Sequence, residues 1–221
     1  MNRMPLNGLC VPDAHAHGAP GANDGVFRLW NIGDPSCAVP EPFYFSAGIH
    51  PWDAGKYDLA AFAPLFDSPR CLAIGECGLD ALRGPSMDIQ EQVFLQQIAL
   101  SEELKKPLII HCVKALDRLL QRHKEQKPAM PWMFHGFRGK PQQLRSLLDA
   151  GFYVSFGCSY NEESLCLCPL GRMMLETDDR VGSIVELYNN VAEKRGLEVA
   201  ELCKRMAENY QTFFQKEPLP T

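Results

Sequence analysis

Along the chain, short apolar runs end abruptly in polar residues, with little of the strict alternation expected of strands that face water on one side. "GLCVPDAH", "VFRLWNIG", "FYFSAGIHP", "CLAIGECGLD", "PLIIHC", "PWMFHGF", "FYVSFG" and "RMMLETDD" are the runs. Near-continuous hydrophobicity over so few residues predicts strands buried on both faces, as in a parallel sheet. Between several of them the apolar period lengthens to that of a helix. "SMDIQEQVFLQQIALSEELKK" carries Ile89, Val93, Phe94, Ile98 and Leu104 near helical spacing, and "KALDRLLQRHKEQ" and "KPQQLRSLLDAG" follow the same pattern. Gly151 falls where a helix C-terminal glycine belongs, and the stretch from Ile184 to Phe214 reads as two helices broken near Gly196.

Repeated alternation of strand and helix predicts an α/β fold with a parallel sheet, and eight candidate strands predict a TIM-barrel-like (β/α) barrel. One region breaks the rhythm. From Gly18 to Tyr44 the chain is rich in Gly and Pro, with only "VFRLWNI" between, and has no room for a full crossover helix. The barrel is therefore expected to be incomplete or distorted near residues 18–44. No repeat or linker divides the chain, so residues 1–221 are read as a single domain.

The polar residues that end the runs carry the chemistry. His15 and His17 follow "LCVPDA", His50 ends "FSAGIH", Glu76 follows "LAIG", His111 follows "PLII", His135 follows "PWMF" and Asp178 follows "MMLET". In a parallel barrel all strand C-termini meet at one face, so these residues are expected to converge. Five of the six histidines obey the rule, and His123 alone falls in a helix. A single histidine at a strand end is more often structural, and an isolated H-x-H is weak evidence. The coincidence across strands is what points to a site, because burying so many ionisable groups together without a cation costs several kcal/mol for each unpaired charge. Imidazole and carboxylate suit zinc or manganese, and carboxylates also admit magnesium. The set suffices for two ions bridged by a carboxylate, an arrangement that lowers the pKa of water.

Composition narrows the alternatives. With 221 residues, 46% hydrophobic and 22% charged, the chain reads as an ordinary globular protein, and a net charge of −5 argues against a broad basic surface. Nine cysteines, mostly within apolar runs, favour reduced thiols. Cys166-x-Cys168 invites a zinc reading, against small core or loop thiols. "MNRMPLNGLC" lacks the apolar stretch of a signal peptide and no segment approaches a membrane span, which predicts a cytoplasmic protein without membrane contact. No obligate protein partner is evident.

The ordered motifs "DAHAH", "GIHPW", "IGECGLD", "PLIIHC", "FHGF" and "LETDD" closely resemble the TatD-type metal-dependent hydrolases of the amidohydrolase-like superfamily, over residues 12 to 214. The resemblance implies a TIM-barrel-type fold and two divalent ions (Mg, Mn or Zn). The implied activity is phosphoester hydrolysis, typically by a deoxyribonuclease acting on DNA, with a small phosphoester as the other substrate class. It implies that His15 and His17 bind the first metal, that Glu76 bridges both, and that His111 and His135 bind the second. Asp178 would bind the first metal and orient or deprotonate the attacking water, with His50 beside the substrate phosphate.

The chain departs from the family pattern in three places. The first crossover helix is replaced by the Gly/Pro-rich stretch. After Asp178, "DRVGSIVELY" runs almost straight into a helix where the family has a long basic loop bordering the substrate cleft. Lys114 stands near where the family commonly has an arginine; it meets phosphate as a point charge without the bidentate fork. Arg138 and Lys140, at the start of a helix whose N-terminal amides favour anions, are further candidate phosphate contacts. Trp52 and Trp132 are candidates for base stacking or for packing. Asp13 and Asp80 are read as possible supports for ligand residues, Asp80 alternatively as a helix cap, and Asp179 as a solvent-facing loop residue. A metal-dependent ester or amide hydrolase remains the alternative activity, because related binuclear barrels cleave carbonyl compounds.

Overall fold

The computed structural model describes residues 9–18, 26–37, 39, 41–180 and 182–215. The opening residues read above for a leader, and most of the Gly/Pro-rich stretch after Gly18, lie outside them. Eight strands form one parallel sheet in sequential order: β1 (Val11–Ala16), β2 (Val26–Ile32), β3 (Tyr44–Ala47), β4 (Cys71–Asp80), β5 (Leu108–Val113), β6 (Trp132–Phe134), β7 (Tyr153–Phe156) and β8 (Met173–Leu175). Each coincides with one of the apolar runs. The helices are α1 (Ala63–Phe66), α2 (Met87–Leu104), α3 (Leu116–Gln126), α4 (Pro141–Asp149), α5 (Glu162–Leu167), α6 (Ile184–Arg195) and α7 (Val199–Phe214).

The sheet curls into a nearly closed barrel with one unsealed seam, between β8 and β1. Ala16 and Asp178 form a single parallel bridge there, with His17 N–H donating to Asp178 O and Asp178 N–H to His15 O, both at 3.0 Å. Below the bridge the buried Asp13 carboxylate accepts from Thr177 N–H (2.9 Å) and Thr177 Oγ1 (2.8 Å). Near residues 18–44 the irregularity among the described residues is a register shift between Asp13 and Ala16. The ladders β1–β2 and β2–β3 are both present, and no helix lies between β1 and β3 among the described residues.

Side-chain alternation sorts the core into two layers. Leu29, Ile109, Met133, Tyr153 and Met174 pack together from different strands, with Tyr210, Phe213 and Phe214 of α7 against them. Leu108, Ile110, Trp132, Phe134, Val154 and Phe156 point the other way, into a cluster shared with Phe94, Leu119, Leu144, Leu187 and Leu202 of the helices. His111 lies two residues beyond Ile109, His135 two beyond Met133, and Glu176 two beyond Met174. They therefore continue the interior faces of β5, β6 and β8 past the apolar layer. The barrel's packing aims these polar groups at one another.

The short helix α5 carries no apolar period long enough to read from sequence. Asn161 starts it, its side chain accepting from Ser164 N–H at 2.9 Å. Of the C-x-C pair, Cys166 is exposed and Cys168 buried. Among the described residues neither joins a group of metal-capable side chains. No helix among those residues is long and apolar enough to cross a membrane.

Candidate metal centre

Glu76, buried in the middle of β4, is the hub of the cluster. Its Oε1 lies 2.7 Å from His111 Nδ1, 2.7 Å from His135 Nε2 and 3.3 Å from His50 Nε2. Its Oε2 lies 3.3 Å from His15 Nε2 and 3.1 Å from His17 Nε2. Asp178 Oδ1 closes the second side at 3.9 Å from His15 Nε2 and 3.6 Å from His17 Nε2. The two oxygens of one carboxylate thus face two different sets of imidazoles. Close backbone approaches at Gly75 and Gly78 let β4 lie this way; at Gly75 a Cβ would stand 2.6 Å from Ile109 O. At Gly78, with φ at +137°, a Cβ would overlap the backbone of His111.

Charge in this pocket is strongly coupled. Burial alone would raise the Glu76 carboxyl, but His135, His111 and His15 together hold it well below the usual carboxylate range. Burial likewise disfavours the His135 imidazolium, yet Glu76 and Glu176 outweigh it and push that imidazole well above its ordinary value. His17 is raised as well, desolvation being overcome by Glu76 and Asp178.

The donor set fits divalent cations. His15, His17 and Glu76 present ligand atoms within 4.8 Å of one another, as do His15, His135 and Asp178, and His50, Glu76 and His111. His15 is fully buried, and neither of its ring nitrogens makes a hydrogen bond. A buried imidazole with two idle nitrogens beside two carboxylates is costly without a further partner, and a cation is the partner its chemistry suits.

A family model described as TatD related DNase matches residues 36–215. The chain belongs to the TatD family. Among its curated relatives, the 3'-5' ssDNA/RNA exonuclease TatD of Edwardsiella piscicida is 32% identical over 154 residues, or 64% of this chain and 59% of that protein. The protein of the same description from Pantoea vagans is 30% identical over 208 residues, 80% of each. The chain thus spans less than two thirds of the length of the Edwardsiella relative. In fold it is similar to YJJV, a TatD homologue from Escherichia coli, at a TM-score of 0.81 with 20% identity over 94% of this chain and 98% of that one. An uncharacterized amidohydrolase from Saccharomyces cerevisiae superposes with a TM-score of 0.70 at 15% identity, covering 93% and 99%.

In this TatD-family chain, all six residues expected to hold metal, and His50, are gathered within the one cluster. Lys114, Arg138 and Lys140 stand apart from it along an adjoining cleft of ≈ 1180 Å³, which His111, His135 and Asp178 also line. At the start of α4 several of the amides expected to favour an anion are engaged or absent. Pro141 has no N–H, Lys140 N–H donates to Gln143 Oε1 (3.0 Å) and Gln143 N–H to Lys140 O (2.9 Å).

Asp13 does not support a histidine. It clasps Thr177 and accepts from Arg28 Nε at 3.2 Å, and burial pushes its carboxyl up to about 7 against the opposing pull of Thr177 and Arg28. Trp132 is buried against Phe94, His123 and Phe152, a packing role. Asp179 is exposed, near Arg180.

One residue of the cluster escaped the sequence reading. Glu176, fully buried, accepts from Gly136 N–H at 2.7 Å and lies 3.2 Å from His135 Nδ1. An ionised carboxylate only accepts, so Nδ1 carries the proton and Nε2 is left facing Glu76. The signal was the alternation of β8, which turns Glu176 to the same side as Met174.

Proposed function

We propose that the chain is a divalent-metal-dependent phosphoester hydrolase, a TatD-like nuclease that releases nucleotides from single-stranded DNA or RNA. The observation that carries the reading is Glu76, whose two oxygens each face a separate set of imidazoles, as a carboxylate shared between two ions must. His15, His17 and Asp178 would hold one ion, His111 and His135 the other, with Glu76 common to both; Mg, Mn or Zn all suit these donors. Such ions supply neutralisation of a phosphate's non-bridging oxygens and lower the pKa of water.

The chain's own groups supply the remaining requirements. Asp178, at the junction of cluster and cleft, orients the attacking water and accepts its proton. His50 Nδ1 accepts the Trp52 N–H at 3.1 Å, so its Nε2 carries a proton and suits a phosphate oxygen better than an ion. Lys114, Arg138 and Lys140 line the cleft as point and fork charges for neighbouring phosphates. The ssDNA/RNA exonuclease description of the Edwardsiella and Pantoea relatives favours the same substrate class.

The test is nucleotide release from single-stranded DNA with magnesium or manganese, with EDTA and His111→Ala as controls. Release abolished by both is expected. An ion held by buried ligands supplies several kcal/mol, and each 1.4 kcal/mol is tenfold in rate, so His111→Ala or Glu76→Ala should cost about 10³-fold or more while circular dichroism stays native. Full activity in either variant refutes the assignment. Hydrolysis of esters or amides with no nucleotide release would replace the reading with the carbonyl alternative.

A further inference from the structure

Trp52 is 45% exposed, whereas Trp30 and Trp132 are buried. Its ring is nevertheless tied to the cluster. Trp52 Nε1 donates to Asp80 Oδ2 at 2.6 Å, and the same oxygen lies 3.3 Å from His111 Nε2. The other Asp80 oxygen accepts from Leu82 N–H (2.8 Å) and Arg83 N–H (3.1 Å). With Oδ1 pinned by the backbone, the indole N–H is what fixes the direction of Oδ2. The turn that carries Leu82 and Arg83 can lie against Trp52 only because residue 84 is glycine; a Cβ there would stand 2.8 Å from Pro51 O and 3.0 Å from Trp52 Cα. The Arg83 guanidinium sits over the indole ring, 4.8 Å from its centroid.

From this chain of contacts we infer that Trp52 is a positioning residue for the metal centre, acting through Asp80 to hold His111 with Nδ1 presented toward Glu76. The inference rests on His111 being an ion ligand. Asp80 as a carboxylate only accepts, so it offers His111 Nε2 an acceptor for its proton; with an ion at Nδ1, where no proton can sit, that acceptor holds the ring in place. The Trp52 ring also stands edge-on to His111 (centroids 5.9 Å) and His50 (4.7 Å), contacts that a phenylalanine ring can keep; its hydrogen-bonded link to His111 passes through the Asp80 carboxylate. Glu176 does for His135 Nδ1 what Asp80 does for His111 Nε2, with the Gly136 N–H as its other donor. The Asp80 branch ends instead on the exposed Trp52 ring.

The experiment measures Mn²⁺ uptake by the purified chain, followed by electron paramagnetic resonance, in wild type, Asp80→Asn, Trp52→Phe, the double variant and a Leu82→Ser control. Asp80→Asn keeps the Oδ1 acceptor and should weaken Mn²⁺ binding by about 10- to 100-fold. Trp52→Phe keeps a ring against His50 but lacks the donor, and should weaken binding about three- to tenfold. The double variant should match Asp80→Asn alone, because both act on one contact, and Leu82→Ser should match wild type. Absorption bands of bound Co²⁺ should shift alike in Asp80→Asn and Trp52→Phe, which a loss of packing would not produce. Unchanged Mn²⁺ affinity in Trp52→Phe, or additive losses in the double variant, overturns the relay alone. A wild-type chain that takes up no Mn²⁺ overturns the metal reading and the relay with it.

Discussion

Glu76 and His135 hold each other in charged form, and the pH consequences differ with and without metal. Glu76 is depressed below its ordinary 4.5, so the stability it contributes is present above that value and is lost as pH falls through its folded pKa. His135 is raised above 6.5, so its contribution is full below that value and is lost as pH rises through its folded pKa. The metal-free protein is therefore expected to lose stability toward alkaline pH. Metal uptake should move the opposite way, because an ion must displace the His135 proton. Calorimetric titration in weak buffers of different ionisation enthalpy should reveal proton release, with affinity rising about tenfold per pH unit for each proton displaced. Uptake with no proton release and no pH dependence would show that His135 is not a ligand. These pairings explain why some residues could be read from sequence and others could not. The six strand-end residues announced themselves by where each apolar run stopped, a local signal. Asp13 shares an H-x-H-like spacing with His15, yet its partner Thr177 lies 164 positions away, and no local pattern carries that distance.

At the level of elements, β4 sets the geometry. It is ten residues long and buried throughout, and its glycines bring its backbone against β5. Gly78→Ala would force a Cβ into His111 and impose a left-handed φ on alanine. The expected cost is about 3 kcal/mol, measured as a lower urea midpoint, together with weakened metal uptake because His111 itself is displaced. A midpoint within error of wild type would mean that the strand pair relaxes freely. The strands were legible because burial on both faces makes the sequence continuously apolar, and α2, α3 and α4 because their periods run long enough to count. Helix α5, six residues with an asparagine cap, offers too little periodicity. The shortness of the connection from β1 to β2, residues 17–25, was legible as an excess of Gly and Pro.

For the whole molecule, the net charge of −5 and the short connection from Asp178 to α6 leave the cleft with only a few basic side chains near the site. If Lys114, Arg138 and Lys140 each meet one phosphate, log affinity for single-stranded DNA against log salt should have a slope of about −2, from roughly −0.7 per phosphate. Removing Arg138 should flatten it by about 0.7. A slope several units steeper would mean that a larger basic surface engages the strand.

The seam gives the centre a mechanical meaning. His15 and His17 belong to β1, Asp178 follows β8, and among the described residues one bridge and the Asp13–Thr177 side-chain clasp join the strands across that gap. An ion gripped from both sides would act as a rivet through the barrel's open joint. At 100 times its dissociation constant it would tighten the joint by about 2.7 kcal/mol, a factor near 100 in opening. Chelation should then speed hydrogen exchange at the amides of His17 and Asp178 about that much while the β4–β5 ladder changes far less. In such a barrel, ion supply governs cohesion as well as turnover, so a cell short of metal would lose the molecule to proteolysis as well as to idleness.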